Sequence, residues 1–509
     1  MTPHLSRLTN AHVTWRALTA MIAAVAAVAG SFAYAGLTPA FIGEPAATFV
    51  VETMPAAIVN AVLDTLGSFA EPASFLLALA LVIAVLTGVI FGALQFGAVA
   101  DIQYLAVPLA GGLVWLLAAW TTGAPIAAIA AGFPAAAVVG IVEVAAARDP
   151  LSVRRDRTVD RSKRATLQAG FGTLSLSGLA YVAGRRRTPD SSVPYLDGGT
   201  RPPVAERALL TQANGDAFDL PNAPGLISEI GDFYTVDINT IDPIVDRADW
   251  SLSVTGAVSS EVELEYDELR DRDADRFYST LRCVGEDLND REMDTAVWTG
   301  IPVTDLLAAA GADEDAAYAV IHAVDGYWNT VTREAIERSY VVYGMNGRVL
   351  PREHGHPVRL LVPGNWGEVN VKWISEIELT ENRQAGYWDE RGWDGTGEVE
   401  TVAKLWSVDR GDDGTITVGG HAYAGLEGVE TVEVSTDGGD TWVEAELSPP
   451  LEGEPRDVWR QWRHSFEPTA DSHEVVVRTI DGTGAVQTEE PSGAKPDGAT
   501  GWVSRTIES

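Results

Sequence analysis

The stretch Ser-Thr-Leu-Arg-Cys-Val-Gly at residues 279–285, followed by Ala-Val-Trp-Thr-Gly-Ile-Pro-Val at 296–303, holds Cys283, the one cysteine of a 509-residue chain. A single cysteine cannot close an internal disulfide, and zinc frameworks need several Cys or His ligands at short spacing. Three uses of the sulfur remain: a buried inert thiol, a nucleophile, or a single thiolate ligand to a metal or cofactor. Residues 277–281 read as a short strand that Gly285 ends, and the polar run 286–294 reads as a loop before Trp298. A thiol at the point where a strand enters a loop is held by a rigid element against whatever pocket the loop borders.

Downstream comes a second block, His354-Gly355-His356-Pro357-Val358-Arg359-Leu360, through Val362-Pro363-Gly364, to Val371-Lys372-Trp373-Ile374. His354 and His356 would share a face on a strand, yet no third ligand of matching spacing accompanies them. The two blocks resemble, in order and spacing, the metal-ligand and cofactor-binding segments of the sulfite oxidase family of molybdopterin enzymes. The resemblance runs from about Asp232 to the C-terminus and says nothing of the first third. It implies Cys283 as molybdenum ligand and catalytic residue, Tyr327 as the tyrosine facing the reacting oxygen, and a molybdenum–molybdopterin cofactor. His354, Arg359 and Lys372 would then hold the pterin and its phosphate, Asn370 and Val371 would add backbone contacts, and Phe233 and Tyr234 would open the domain against the cofactor. A guanidinium fork and an ammonium suit a phosphate, and a pterin edge takes hydrogen-bond partners. By the residues alone, Tyr327 reads equally as a turn aromatic, and His356 reads as structural.

Two positions depart from the family. Val236 stands where an oxyanion-gripping arginine is usual, and Glu286-Asp287-Leu288-Asn289 replaces a run with two arginines after the cysteine. A dianion such as sulfite needs several charge-assisted donors, which Arg282, Arg291 or Asn365 would have to supply.

Around these blocks the pattern is α+β. Phe233–Asp237, 243–246 and 250–256 alternate as strands, 302–310 reads as a helix with Asp305 solvated, 318–324 as a strand, and Gly364 to Gly367 as a loop that permits close approach to a ligand. From Thr401 short strands recur around an Asp437-Gly438-Gly439 hairpin turn, which predicts an immunoglobulin-like sandwich over 398–509 and, by the resemblance, a possible dimer. The catalytic domain is expected over 231–397, with a Pro/Gly/Asp-rich linker at 188–230.

Charge divides the chain. Residues 1–187 carry 9 acidic and 12 basic side chains, which leaves 62 acidic against 24 basic of the whole chain's 71 and 36. So acidic a remainder excludes nucleic acid as a partner. Only Lys163, Lys372, Lys404 and Lys495 are lysines, and an acid-rich, lysine-poor surface is similar to that of halophilic proteins, in which salt screens self-repulsion.

The first 187 residues read as a membrane bundle of about five helices. Residues 15–36, 73–96, 102–122 and 124–147 are apolar runs of spanning length, 165–184 is a less apolar fifth, and 46–69 reads as an amphipathic helix at the outer surface. The basic run from Arg148 to Arg164 marks a cytoplasmic loop, and Lys163-Arg164 before a moderately apolar stretch resembles a degenerate twin-arginine export signal. If 165–184 spans, the catalytic domain lies outside the cytoplasm at the cell membrane. No histidine falls within a span, so no membrane haem is expected from this chain.

The expectation is a membrane-anchored molybdopterin oxidoreductase that moves an oxygen atom to a small molecule such as sulfite. Its partners would be membrane lipid and an external haem protein or quinone-linked electron carrier. The alternatives are a sulfoxide or N-oxide reductase on the same cofactor and a non-catalytic tethered binding protein.

Overall fold

The computed structural model describes residues 3–66, 70–147, 155–187, 193–394, 397–451, 453 and 456–508, which divide into two units. The first comprises the N-terminal helices together with residues 237–244; the second holds the rest.

In the first unit, among the described residues, three helical segments are long and apolar enough to cross a membrane: Val13–Ala35, Pro72–Ala100 and Pro125–Ala145. The remaining expected spans differ. Helix Ala106–Thr122 is short because Asp101 and Tyr104 take left-handed backbone conformations and Pro108 lies in its first turn. Residues 165–184 form the second half of helix Arg155–Arg185, which Thr166, Gln168, Thr173, Ser175 and Ser177 leave too polar to qualify. The described residues of 46–69 fall in two helices, Glu44–Thr53 and Ala56–Leu66, broken at Pro55, and 67–69 lie outside the described residues. Of the basic run, Arg148 and Arg154 lie outside the described residues.

The helices pack through small residues. A methyl group on Gly132 would stand 2.6 Å from the Gly111 carbonyl oxygen, so glycine is what lets Ala106–Thr122 and Pro125–Ala147 touch backbone to backbone. Ala20, Ala24, Ala27, Ala110, Ala131 and Ala135 fill the centre of this unit.

The second unit contains two five-stranded sheets and a β-rich C-terminal part. In the first sheet the strands lie in the order Val262–Glu265, Ser251–Gly256, Ile374–Thr380, Tyr318–Ala323, Trp328–Thr332. In the second, Asp275–Arg282 pairs with Met293–Pro302, which pairs with Tyr340–Met345; Arg348–Val349 and Arg359–Leu361 both attach to the last. Helix Val303–Ala310 buries Val303, Leu306 and Leu307 in a core with Leu252, Ile321, Ile336 and Ile377. Each such side chain contributes about 1.5–3 kcal/mol by leaving water. Phe233–Asp237 and 243–246 carry no strand: Phe233 and Tyr234 turn inward as loop residues.

The described part of the stretch read as linker and wrap, 193–230, carries one helix. Helix Val204–Asp216 buries Glu206, whose carboxylate accepts from Arg276 at 3.2 Å and Thr299 at 3.1 Å. Further on, two four-stranded antiparallel sheets share a core that takes Leu405, Val418 and Trp462 from one and Val432, Val475 and Val477 from the other.

Candidate functional site

The hairpin between Asp275–Arg282 and Met293–Pro302 carries Cys283 at its first free position. The Cys283 amide donates to the Glu292 carbonyl at 2.9 Å, extending the ladder by one rung, so the thiol leaves a fixed strand end. Burial first, then the Glu292 and Glu286 carboxylates, pushes the thiol well above its ordinary pKa. The protein alone does not stabilise a thiolate there; a cation on the sulfur would, because coordination deprotonates a thiol outright.

Phe233 and Tyr234 line one flank. Phe233 stacks on Tyr234 and meets the edges of Trp298 and His354, whose ring centroids lie 5.9 and 5.3 Å away. The Tyr234 amide donates to Asp294 Oδ2 at 2.8 Å, and burial pushes the Asp294 carboxyl up to about 7.

His354 ends the short turn Arg352–His354 and is buried. Its Nε2 donates to the Ile230 carbonyl at 3.3 Å, and burial, then Arg359 and Lys372, hold it neutral with a pKa of about 3. Arg359, also buried, donates to the carbonyls of His354 at 3.3 Å and Asn370 at 2.8 Å. Asn370 accepts from the Val362 amide at 2.7 Å and donates to the Trp366 carbonyl at 3.0 Å, which fixes the loop between them. Lys372 donates to the Glu353 carbonyl at 2.9 Å. Gly355, at φ +104°, sits where a methyl group would come within 3.2 Å of Lys372 Cα and 3.0 Å of Arg359 Cβ. A neutral imidazole and two cations thus converge on a glycine-floored cradle, a donor set that suits a phosphate-bearing heterocycle. Val371 differs from these: its side chain is in the core, and its carbonyl accepts from the Leu360 amide.

The Asn365–Asn370 loop brings Tyr327 to the cysteine side. A methyl on Gly367 would meet Tyr234 Oη at 2.5 Å and the Arg282 carbonyl at 3.0 Å, while Tyr327 Oη donates to the Glu368 carbonyl at 2.8 Å. His356 turns away and donates to the Leu350 carbonyl at 3.2 Å.

The three candidate replacements for the missing cations are engaged elsewhere. Arg282 is buried against Glu286 at 2.9 Å and donates to the carbonyls of Glu400 and Ala499. Arg291 donates to the Asn222 carbonyl at 2.7 Å and lies over Trp406. Asn365 accepts from Arg338 at 2.5 Å and donates to the Gly397 carbonyl at 2.9 Å. Val236 is exposed.

Sequence reasoning missed several residues. Glu286 is the centre of a buried triad with Arg282 and Lys404; Lys404, lowered to about 8 mainly by burial, also donates to the Asp290 carbonyl at 2.9 Å. Asn289 pairs with both main-chain groups of Leu405, so the loop after Cys283 is clipped to strand Val402–Arg410. Glu368 is pushed up to about 7 by burial and then by Asp389, and its buried Oε2 has no hydrogen-bond partner among the described residues. Only the lysine scarcity could have pointed to Lys404; Glu368 resembles many other acids in the chain.

Residues 239–388 match the family described as oxidoreductase molybdopterin binding domain, and residues 397–494 match the Mo-co oxidoreductase dimerisation domain. The chain is 26% identical over 353 residues to mitochondrial sulfite oxidase of Mus musculus, covering 58% of this chain and 64% of that one. It is 25% identical over 313 residues to sulfite oxidase of Arabidopsis thaliana, with 48% and 79% covered, and 28% identical over 160 residues to NADPH nitrate reductase of Fusarium oxysporum, with 27% and 18% covered. The chain thus spans 64% and 54% of the length of the mouse and rat enzymes. Among solved structures, the sulfane dehydrogenase SoxCD of Paracoccus pantotrophus superposes with a TM-score of 0.49 at 17% identity, over 56% of this chain and 82% of that one. The two successive domain matches and the sulfite oxidase relatives place residues 239–494 among the sulfite oxidase-like molybdopterin oxidoreductases.

Proposed function

We propose that this protein is a membrane-anchored oxidoreductase that moves an oxygen atom to or from a small molecule. The observation that carries it is the joining of the Cys283 strand end to the His354, Arg359 and Lys372 cradle through one fixed loop. Molybdenum held by the cofactor dithiolene would supply the oxo transfer and the two-electron redox change. The chain's own residues would bind and orient: Cys283 would ligate the metal, Arg359 and Lys372 would take the phosphate, neutral His354 would meet the pterin edge, and Tyr327, once its hydroxyl leaves the Glu368 carbonyl, would face the reacting oxygen. In the oxidative direction water supplies the oxygen, and two protons and two electrons leave; in the reductive direction both are consumed and water is released. The electrons would pass to an external haem protein or quinone-linked carrier.

Sulfite or a related sulfur oxyanion is the substrate class that the names of the relatives suggest. One observation favours reduction of a sulfoxide or N-oxide: Arg282, Arg291 and Asn365 are all held by the protein, so the pocket lacks the cation cluster that a dianion requires. With the basic run 148–164 on the cytoplasmic side, the catalytic unit lies outside the cytoplasm at the cell membrane if residues 165–184, the second half of helix Arg155–Arg185, span. The C-terminal sandwich would be immunoglobulin-like and serve dimerisation, as its family match suggests.

The test is elemental analysis with pterin fluorescence on protein from a cofactor-competent host, beside Cys283→Ala. About one molybdenum per chain, lost in the variant while the fold persists, supports the enzyme. Absence of metal from the wild type would leave a tethered binding protein as the better account.

A further inference from the structure

The Asn365–Asn370 loop carries an acid, Glu368, in its short turn Gly367–Val369, which packs against strand Trp328–Thr332. Three other buried acids of this unit have both carboxyl oxygens bonded. Asp457 accepts from Ser279 and Tyr423, Asp294 from Ser228 and the Tyr234 amide, and Glu286 from Arg282, Lys404 and the Glu292 amide. Glu368 differs: its Oε2 is buried and has no hydrogen-bond partner among the described residues. An unpaired buried oxygen costs stability, so a purely structural acid would be expected to be paired as the others are.

Glu368 is tied to the tyrosine expected at the reacting oxygen. Tyr327 Oη donates to the Glu368 carbonyl at 2.8 Å, and Asn329 Nδ2 lies 3.3 Å from that hydroxyl and 3.4 Å from the same carbonyl. After burial, the Glu368 carboxylate is the strongest influence raising the Tyr327 hydroxyl. On its other side Glu368 meets a second acid. Burial, then Asp389, pushes the Glu368 carboxyl up to about 7; Asp394 adds to the rise, and Asn329 and Arg383 oppose it. Asp389 accepts from Arg383 at 2.7 Å, and the two side chains are 10% and 40% exposed. Tyr327, Glu368 and Asp389 thus form a row from a buried hydroxyl to solvent.

We propose that Glu368 is the proton-relay residue of this site, passing protons between the Tyr327 hydroxyl and solvent by way of Asp389. This rests on the oxidoreductase reading above. Reduction of an oxo compound consumes two protons and two electrons and releases water. The Glu368 O–H bond breaks as its proton passes to Tyr327, the hydroxyl gives its own proton to the departing oxygen, and solvent reprotonates the carboxylate, twice per turnover. The electrons come from the external haem or quinone-linked carrier. In the oxidative direction each transfer reverses, and the carboxylate takes up the two protons that water releases. A relay is most effective when both of its forms are populated at the working pH, and the unpaired oxygen leaves one site free to take or give the proton.

The experiment titrates the protonated-carboxyl stretch of the full-length protein by difference infrared spectroscopy across neutral pH. Molybdenum content, KM and the pH profile of kcat are measured on the same samples, with sulfite and ferricyanide for oxidation and dimethyl sulfoxide and reduced methyl viologen for reduction. A band that disappears as pH rises through neutrality is expected in the wild type and absent from Glu368→Gln. That variant should lose about hundredfold in kcat and the ionisation near neutrality, with KM and molybdenum unchanged, and Glu368→Asp should recover part of the rate. Asp389→Asn removes a neighbouring negative charge, so it should move the infrared midpoint and the kcat profile to lower pH by the same amount. No titrating band lost in Glu368→Gln, or a kcat profile unaltered in that variant, overturns the proposal. So does loss of molybdenum from Glu368→Gln, which would make the residue a support of the cofactor cradle. A wild type that lacks molybdenum, or that turns over neither compound, counts against the oxidoreductase reading and takes the proposal with it, a result the metal and rate data report separately from the infrared titration.

Discussion

The surroundings of His354 and those of Cys283 are built in opposite ways. Around His354 the side chains of His354, Arg359, Asn370 and Lys372 are tied to main-chain carbonyls and amides, and the residues resemble the family pattern. Around Cys283 the expected cations are absent or drawn into structural contacts, and the neighbours are the edge of the Trp393 ring and carboxyls raised by burial. The contrast teaches that a cradle can be held rigid by main-chain contacts while the ground beside the cysteine is left to charge pairs and aromatic packing.

The largest effect should come from the constant part. Arg359→Gln removes a buried cation and leaves the His354 and Asn370 carbonyls without their donor, so molybdenum content should fall by about tenfold or more, read by elemental analysis. Retention of full metal would break the comparison by showing the cradle to be redundant.

Next comes the triad behind the cysteine. Glu286→Gln leaves Arg282 and Lys404 buried without a counter-charge, which should cost about 3–5 kcal/mol in chemical denaturation. The double change Glu286→Gln with Lys404→Met should recover part of that loss, since Arg282 then remains the single buried charge.

A third test uses pH at a residue remote from the cradle. His421 is buried against Trp406 and Trp459, donates to the Gly225 carbonyl at 3.2 Å, and has its pKa lowered to about 3, chiefly by burial. The folded state resists binding a proton that the unfolded chain takes up near pH 6.5, so this contribution is present above that pH and is lost as pH falls toward 3. Between pH 7 and 5 it should remove about 2 kcal/mol, and His421→Asn should abolish that share of the slope. Raised carboxyls act in the opposite sense: Asp457, at about 6 through burial, favours the fold below its unfolded pKa and loses that advantage as pH rises through 6.

The smallest effect is expected at the exposed acidic face. Glu444 is exposed and sits across from Glu433 in the antiparallel pair. Glu444→Gln should stabilise by no more than about 0.5 kcal/mol in dilute buffer and by nothing measurable in molar salt, read as a change in Tm.

Much of the architecture was legible beforehand. Strand 277–281, helix 302–310, the strand ending near 324 and the hairpin turn at 437–439 follow from alternation, a proline start and paired glycines, which act locally. The segments that read differently are those where context overrides composition. Phe233–Asp237 alternates like a strand, yet its aromatics are taken up as loop residues by Trp298 and His354. The 188–230 stretch looks like a linker because proline and glycine are frequent, while its helix is fixed by Glu206 bonding to strands far along the chain.

For this protein the sequence by itself determined the lone sulfur, the ordered motifs around it, the acidic and lysine-poor character, and the apolar runs at the N-terminus. Each depends on residue identity or short-range spacing, which survives without a fold. Only the tertiary structure decided that Glu286 and Lys404, 118 positions apart, form one buried pair, that Arg282 is a structural cation, and that the Trp393 ring packs beside Cys283. Which donor is left unpaired depends on every neighbour at once, and pairing between distant segments exists only after the chain has closed on itself.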